Sequence, residues 1–174
     1  MSTLKVSTIS PLGTDATKTI TLGESAGTLA IASGAKTSGF GKIGQIVEGS
    51  SSTNYTNSST SMSEMLNASI TPSSTTSKIL IHFHTNCQIV ADSNAYGRAT
   101  VFRGTTSGTD LGALIGGSAA NSNANFPLTG TYIDSPSTTS AQQYTLAMST
   151  ASGSTTSVTT DSTTYRLVLM EILD

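Results

Sequence analysis

The sequence predicts an all-β protein. A short extended, stalk-like β segment over residues 1–38 leads into an antiparallel, jelly-roll-like β-sandwich head over residues 39–174. Three observations carry this reading. Apolar residues alternate with polar ones wherever they cluster, the spacing of a half-buried strand, and helical spacing is hard to find. Thr, Val, Ile and Tyr supply strand propensity, with 31 Thr among 174 residues. Ser, Gly and Pro punctuate the chain at short intervals, as they do in sandwiches and jelly rolls.

The elements follow in order. The head opens with a strand around Lys42 to Glu48, after a small-residue hinge at Thr37-Ser38-Gly39-Phe40-Gly41. A second strand covers Met65 to Thr71 and ends at the turn-rich Pro72-Ser73-Ser74-Thr75-Thr76-Ser77. The clearest strand is Lys78 to Cys87. There Ile79, Ile81, Phe83 and Thr85 share one face, and Leu80, His82, His84 and Asn86 share the other. Strands at Gly97 to Arg103 and Gln142 to Thr150 come next, the latter after the turn Ser135-Pro136-Ser137-Thr138-Thr139. The last strand, Tyr165 to Leu173, sets Tyr165, Leu167, Leu169 and Leu173 against Val168, Met170 and Ile172, with Glu171 interrupting the first set. Apolar residues on both faces place it centrally in a sheet.

The first forty residues have a different texture. Two β pulses, Ile20-Thr21-Leu22 and Leu29-Ala30-Ile31, fall short of a repeat, and the segment has too few large apolar residues for a core of its own. Across the whole chain Leu, Ile, Val and Phe come to 35 residues, near the lower compositional limit for a self-sufficient core. Part of the burial is therefore expected to come from other copies of the chain. Charged residues make up 10% and the net charge is -2, which argues against a nucleic-acid binder and a charge-expanded tail. No apolar run approaches a bilayer-spanning length, and the N-terminus lacks the pattern of a secretory signal. Membrane insertion is not expected.

Few motifs carry chemistry. Gly39-Phe40-Gly41-Lys42-Ile43-Gly44 fits G-x-G-x-x-G, but a strand follows it where a dinucleotide site needs a helix, so it reads as a hinge. His82 and His84 project from one strand face about 6 to 7 Å apart. Three chains meeting on an axis would bring six imidazoles around one line, enough for iron or another transition metal. The plainer reading is two polar residues on a half-buried face. Cys87 has the opposite parity and reads as a small buried residue, and being single it forms no intrachain disulfide. No nucleophile elbow occurs, and Asp92, Asp110, Asp134 and Asp161 fall where Asp favours turns, so no enzymatic activity is expected and no cofactor is required. The sequons at Asn54, Asn57 and Asn67 are what a Ser- and Thr-rich chain produces by chance. Tyr55, Tyr96, Tyr132 and Tyr144, with Asn94, Asn121, Asn123 and Asn125, lie in or near loop-like stretches and are of types that make adaptable contacts. Tyr96, Asn121, Asn123 and Tyr132 form the candidate receptor-contact set.

Met1-Ser2-Thr3-Leu4-Lys5-Val6-Ser7-Thr8-Ile9-Ser10-Pro11, Gly39 to Val47, Ser69 to Ile81 and Asp134-Ser135-Pro136 together resemble small virion structural proteins of tailed phages, especially marine phages. The resemblance implies a tail fibre, spike or related appendage, usually a trimer, with a short N-terminal β segment before a β-sandwich head. On that footing residues 1–38 would join the virion or form its stem, with Leu4, Val6 and Ile9 as apolar anchors to other virion proteins. The head would be an adhesin for a host cell-surface glycan or protein. The second reading is a capsid decoration or cement protein with a mechanical role.

Overall fold

The computed structural model describes residues 43–90, 95–112, 115–119, 124–150, 157–159 and 164–173. The expected stalk over 1–38, with Leu4, Val6 and Ile9, lies outside the described residues. The rest is all-β. Its strands are β1 (Ile43–Ser51), β2 (Thr56–Asn57), β3 (Ser63–Ile70), β4 (Lys78–Val90), β5 (Ala95–Arg103), β6 (Thr109–Asp110), β7 (Ile115–Ala119), β8 (Ala124–Asp134), β9 (Gln142–Thr150), β10 (Ser157–Thr159) and β11 (Tyr165–Ile172).

All pairings are antiparallel, and they resolve into two sheets of four ribbons. In the first sheet β8 occupies one edge of β4 from Ile79 to Ile89, while β11 and then β10 share the other edge. β1 pairs with β11 and β2 with β10, so each short strand continues the line of a long one. The ribbon order is β1/β2, β11/β10, β4, β8. In the second sheet β9 lies between β3 and β5, and β6 and β7 together line the far edge of β5. Numbered along the chain, the ribbons run 1-8-3-6 in one sheet and 2-7-4-5 in the other.

The sheets face each other as a sandwich because the alternation in β4 is strict. Ile79, Ile81, Phe83, Thr85, Cys87 and Ile89 are all buried, and the residues between them are exposed or half-buried. Leu167 and Leu169 of β11 extend this inner surface, and Met65, Ile70, Val101, Leu146 and Met148 meet it from the second sheet. Opposite Phe83 stands Gly130. Two residues on, the Tyr132 ring stacks on Phe83 with centroids 6.2 Å apart and planes at 18°, a favourable offset geometry for aromatic pairs.

Polar groups also tie the layers. Arg103 in β5 donates to Asp134 Oδ1 at 2.8 Å, and the buried Tyr144 hydroxyl in β9 donates to Asp134 Oδ2 at 2.8 Å. Asp134 ends β8, so one carboxylate joins the two sheets. Burial, and then the neighbouring carboxylate, push the Tyr144 phenol well above the usual tyrosine range. Asn57 plays the same part for a loop: its amide donates to Met148 O at 2.7 Å and Ser61 O at 3.2 Å, and its oxygen accepts from Ser59 N at 2.8 Å.

Six expected strands occur within a few residues of their predicted bounds, and β11 is central, as its two apolar faces imply. The 124–134 region departs from the expectation. Tyr132 and Asp134, read as loop and turn residues, belong to the 11-residue strand β8. Pro127 and Gly130 punctuate that stretch and disguise it. Pro is tolerated there because β8 is an edge strand and needs its N–H donors on one side only. Tyr144 lies within the strand expected at Gln142 to Thr150, where residues 144–150 are buried without a break.

Replacing Asp134 with Ala should cost about 2–4 kcal/mol in urea denaturation, since it strands the Tyr144 hydroxyl and the Arg103 guanidinium. The figure lies toward the low side of the range for broken buried pairs because the Arg103 side chain keeps 32% of its exposure. Tyr144→Phe should cost less, about 1 kcal/mol.

Candidate functional site

The outer face of the first sheet is set by register. Ile46, Met170, Leu80 and Ile133 are successive cross-strand partners and form one row across all four ribbons. Beside it run Glu48, Val168, His82 and Thr131, then Ser50, Arg166, His84 and Thr129. On the other flank Ile43 pairs with Ile172, and Ile172 with Lys78. Ile43, Ile46 and Ile133 are 56%, 60% and 63% exposed, the large apolar side chains left in the open among the described residues. All three lie on this one face.

His82 and His84 share the face, as their spacing predicts, and both are exposed. His82 Nδ1 lies 2.9 Å from Thr131 Oγ1, which orients the ring. Arg166 is the cross-strand partner of His84 in the register, and its guanidinium forms an ion pair with Glu48 on the neighbouring strand β1. One chain thus supplies two imidazoles, short of the four to six ligands a transition metal takes. Among the described residues no group of three or more His, Cys, Asp and Glu is placed to hold a metal ion. Cys87 is buried on the opposite face, and burial pushes its thiol up to about 12, well away from a reactive thiolate.

One buried carboxylate anchors the corner where β1 begins. Glu171 Oε1 accepts from Ser73 N at 2.6 Å and Ser73 Oγ at 2.7 Å, and Oε2 accepts from Gln45 Nε2 at 2.8 Å. Gln45 Nε2 also donates to Thr71 O at 2.6 Å. The register slips between Ile43 and Ile46, and this irregularity turns Gln45 toward Glu171 and leaves both isoleucines outside. Gly44 packs closely there: a Cβ would sit 2.9 Å from both Glu171 Oε2 and Leu173 Cδ2, so a larger residue would have to displace these side-chain ends. The last glycine of the G-x-G-x-x-G stretch is therefore a strand residue packed on a carboxylate; Gly39 and Gly41 lie outside the described residues.

The candidate receptor contacts are not brought together as a set. Tyr132 is only 9% exposed and packs in the core, which corrects its assignment to a loop surface: it alternates with outward-facing Thr131 and Ile133. Tyr96 lies in β5, opposite Ser118 of β7. Asn121 and Asn123 fall outside the described residues, between the ends of β7 and β8. Asn57 has its amide spent on backbone partners.

The apolar row was the feature least expected from sequence. Its signal was present in the second apolar face of β11, which reports an apolar outer surface as well as a central position. Ile133, hidden in the stretch read as a loop, completes it.

Burial would raise the Glu171 pKa, but the hydrogen bonds from Gln45 and Ser73 outweigh it and hold the carboxyl below its ordinary value of 4.5. A carboxyl with a depressed folded-state pKa contributes stability above its unfolded value, and that contribution is lost as pH falls through the folded one. Urea midpoints should therefore fall as the medium is acidified below about pH 4.5. Glu171→Gln should be less stable by about 1–3 kcal/mol at neutral pH and should show a shallower acid slope. Exhaustive dialysis of the full chain against a chelator should leave its melting temperature unchanged, as should His82→Ala with His84→Ala; a fall in both cases would mean that several copies complete a metal site.

Neither a scan against protein-family models nor a search of curated proteins finds a match to this chain.

Proposed function

We propose that this chain is a structural component of a tailed-phage virion, a trimeric tail fibre or spike that attaches by its N-terminal segment and presents a jelly-roll head to a host receptor. The observation that carries the reading is the polarity of the head. Ile43, where the preceding 42 residues join, is in register with Ile172, and Ile172 with Lys78, at one end of the sandwich. Val90, Ala95, Ala119, Ala124, Thr150 and Ser157 are strand ends at the other, with Ile89 opposite Ala124, Val90 opposite Ser157 and Ala95 opposite Ala119. The 13 residues of β4 separate the two ends by about 40 Å. Attachment at one end, with the strand ends Ala95, Ala119 and Ala124 at the other, is the layout an adhesive appendage needs.

Further support comes from the ribbon orders 1-8-3-6 and 2-7-4-5, the arrangement of an eight-stranded jelly roll, an architecture used by viral capsid and lectin domains. The resemblance to phage virion proteins points the same way. Individual receptor contacts would be weak and multiplied by the copies in the appendage. The reading assigns the chain no catalytic role.

Burial of Tyr132 removes one member of the expected contact set; the second reading is a capsid decoration protein whose work is mechanical. Copy number separates the two: labelled protein at one vertex in a handful of copies marks a fibre, and a count scaling with the capsid lattice marks decoration. Deleting the first twelve residues should leave a soluble protein that no longer joins the particle. Normal incorporation of that variant would refute N-terminal attachment.

A further inference from the structure

We infer that the apolar row Ile46, Met170, Leu80 and Ile133 is the surface on which copies of this chain pack against one another. The row crosses the full width of the sheet, with Ile43, Ile172 and Val168 beside it. Four ribbons and three side-chain rows span about 19 by 20 Å, with Glu48, His82, Thr131 and Lys78 as the polar flank of the apolar row, a patch on the scale of the largest on a monomer surface, which is often functional. Three of its side chains are more than half exposed in the single chain.

Two features select a second copy as the occupant. The first is the tether, which rests on the stem reading proposed above. The 42 residues preceding Ile43 enter at the corner of this face, so chains held together by their N-terminal segments have this face at high effective concentration. The strand ends at Val90, Ala95 and Ala124 lie at the opposite end of the sandwich from this corner. The second is charge. Glu48 and Arg166 neutralise each other within the chain, leaving Lys78 as the remaining Lys, Arg, Asp or Glu in these rows. An apolar centre depleted of net charge, with a Met within it, has the composition of an interface core and sets up little repulsion between identical partners. A receptor that bound here would lie beside the attachment point, away from the exposed end.

The test uses the full chain with Ile46→Cys and Ile133→Cys together. These positions lie on opposite edge ribbons, about 14 Å apart, too far for a disulfide within one chain. Cys87 is buried and does not compete. Both changes are at exposed positions, so folding is preserved; circular dichroism and the melting temperature check this. Under a mild oxidant such as diamide the pair should give about tenfold more covalent multimer on non-reducing gels than Ser69→Cys with Ser140→Cys, two exposed positions away from the face. Equal yields from the two pairs, or none from either, would overturn the inference, as would protection of the face by a different virion protein with the chain itself monomeric. Virion incorporation is scored separately. Cross-linking by a protein absent from particles would leave the interface standing and refute the virion reading. Normal incorporation without cross-linking would do the reverse.

Discussion

Period-two alternation along β4 is the constraint to which the rest of the head is fitted. Thirteen residues long and hydrogen-bonded along both edges, β4 carries β8 on one side and β11 with β10 on the other. A slip of one residue would carry Ile79, Ile81, Phe83 and Ile89 to the outside and the two histidines to the inside. No such slip is tolerable when the inner set is wholly buried. The same alternation fixes which residues of β8 and β11 appear on the outer face, because cross-strand partners point the same way. The core and the apolar row are two consequences of one register.

A chain with this few large apolar residues draws on buried polar groups whose partners fix the layers and loops in place. Asp134 accepts from residues of two strands in the opposite sheet, and Glu171 draws the 71–73 segment and β1 onto the last strand. Both are carboxylates whose oxygens have donors, the condition under which buried charge is tolerable. Asn57 does the same for the turn after β2. These groups specify where loops and strand ends sit, which the interchangeable aliphatic side chains of the core leave open.

The fold was legible in the sequence wherever alternation was uninterrupted. β4, β9 and β11 were readable from local pattern, since Ile79 to Phe83 and Leu167 to Leu169 leave no other periodicity. β8 was not, because Pro127 and Gly130 carry a turn signal that the edge position and the Phe83 ring override. Its loss hid Ile133 and misplaced Tyr132 and Asp134 together. The candidate site was legible in part. The histidine pair shares an exposed face, as H-x-H on a strand requires, but the partners of Glu171 lie 98 and 126 residues away and leave no local trace. Short strands such as β2 and β6 are invisible for the same reason: two residues become a strand only when a distant neighbour supplies the ladder.

Pro127 has a consequence for assembly. It stands in the edge strand β8, which has its pairing with β4 on one side, and a proline has no N–H to offer a further strand. A neighbouring chain that tried to extend the sheet past β8 would meet a gap in the ladder midway along it. Edge-to-edge addition is the geometry that repeats without limit, each new chain presenting the same open edge as the last. Interrupting it leaves association through faces, and a face can be used up. The feature that concealed a strand from the sequence thus also guards this edge of the sheet against extension by a further strand.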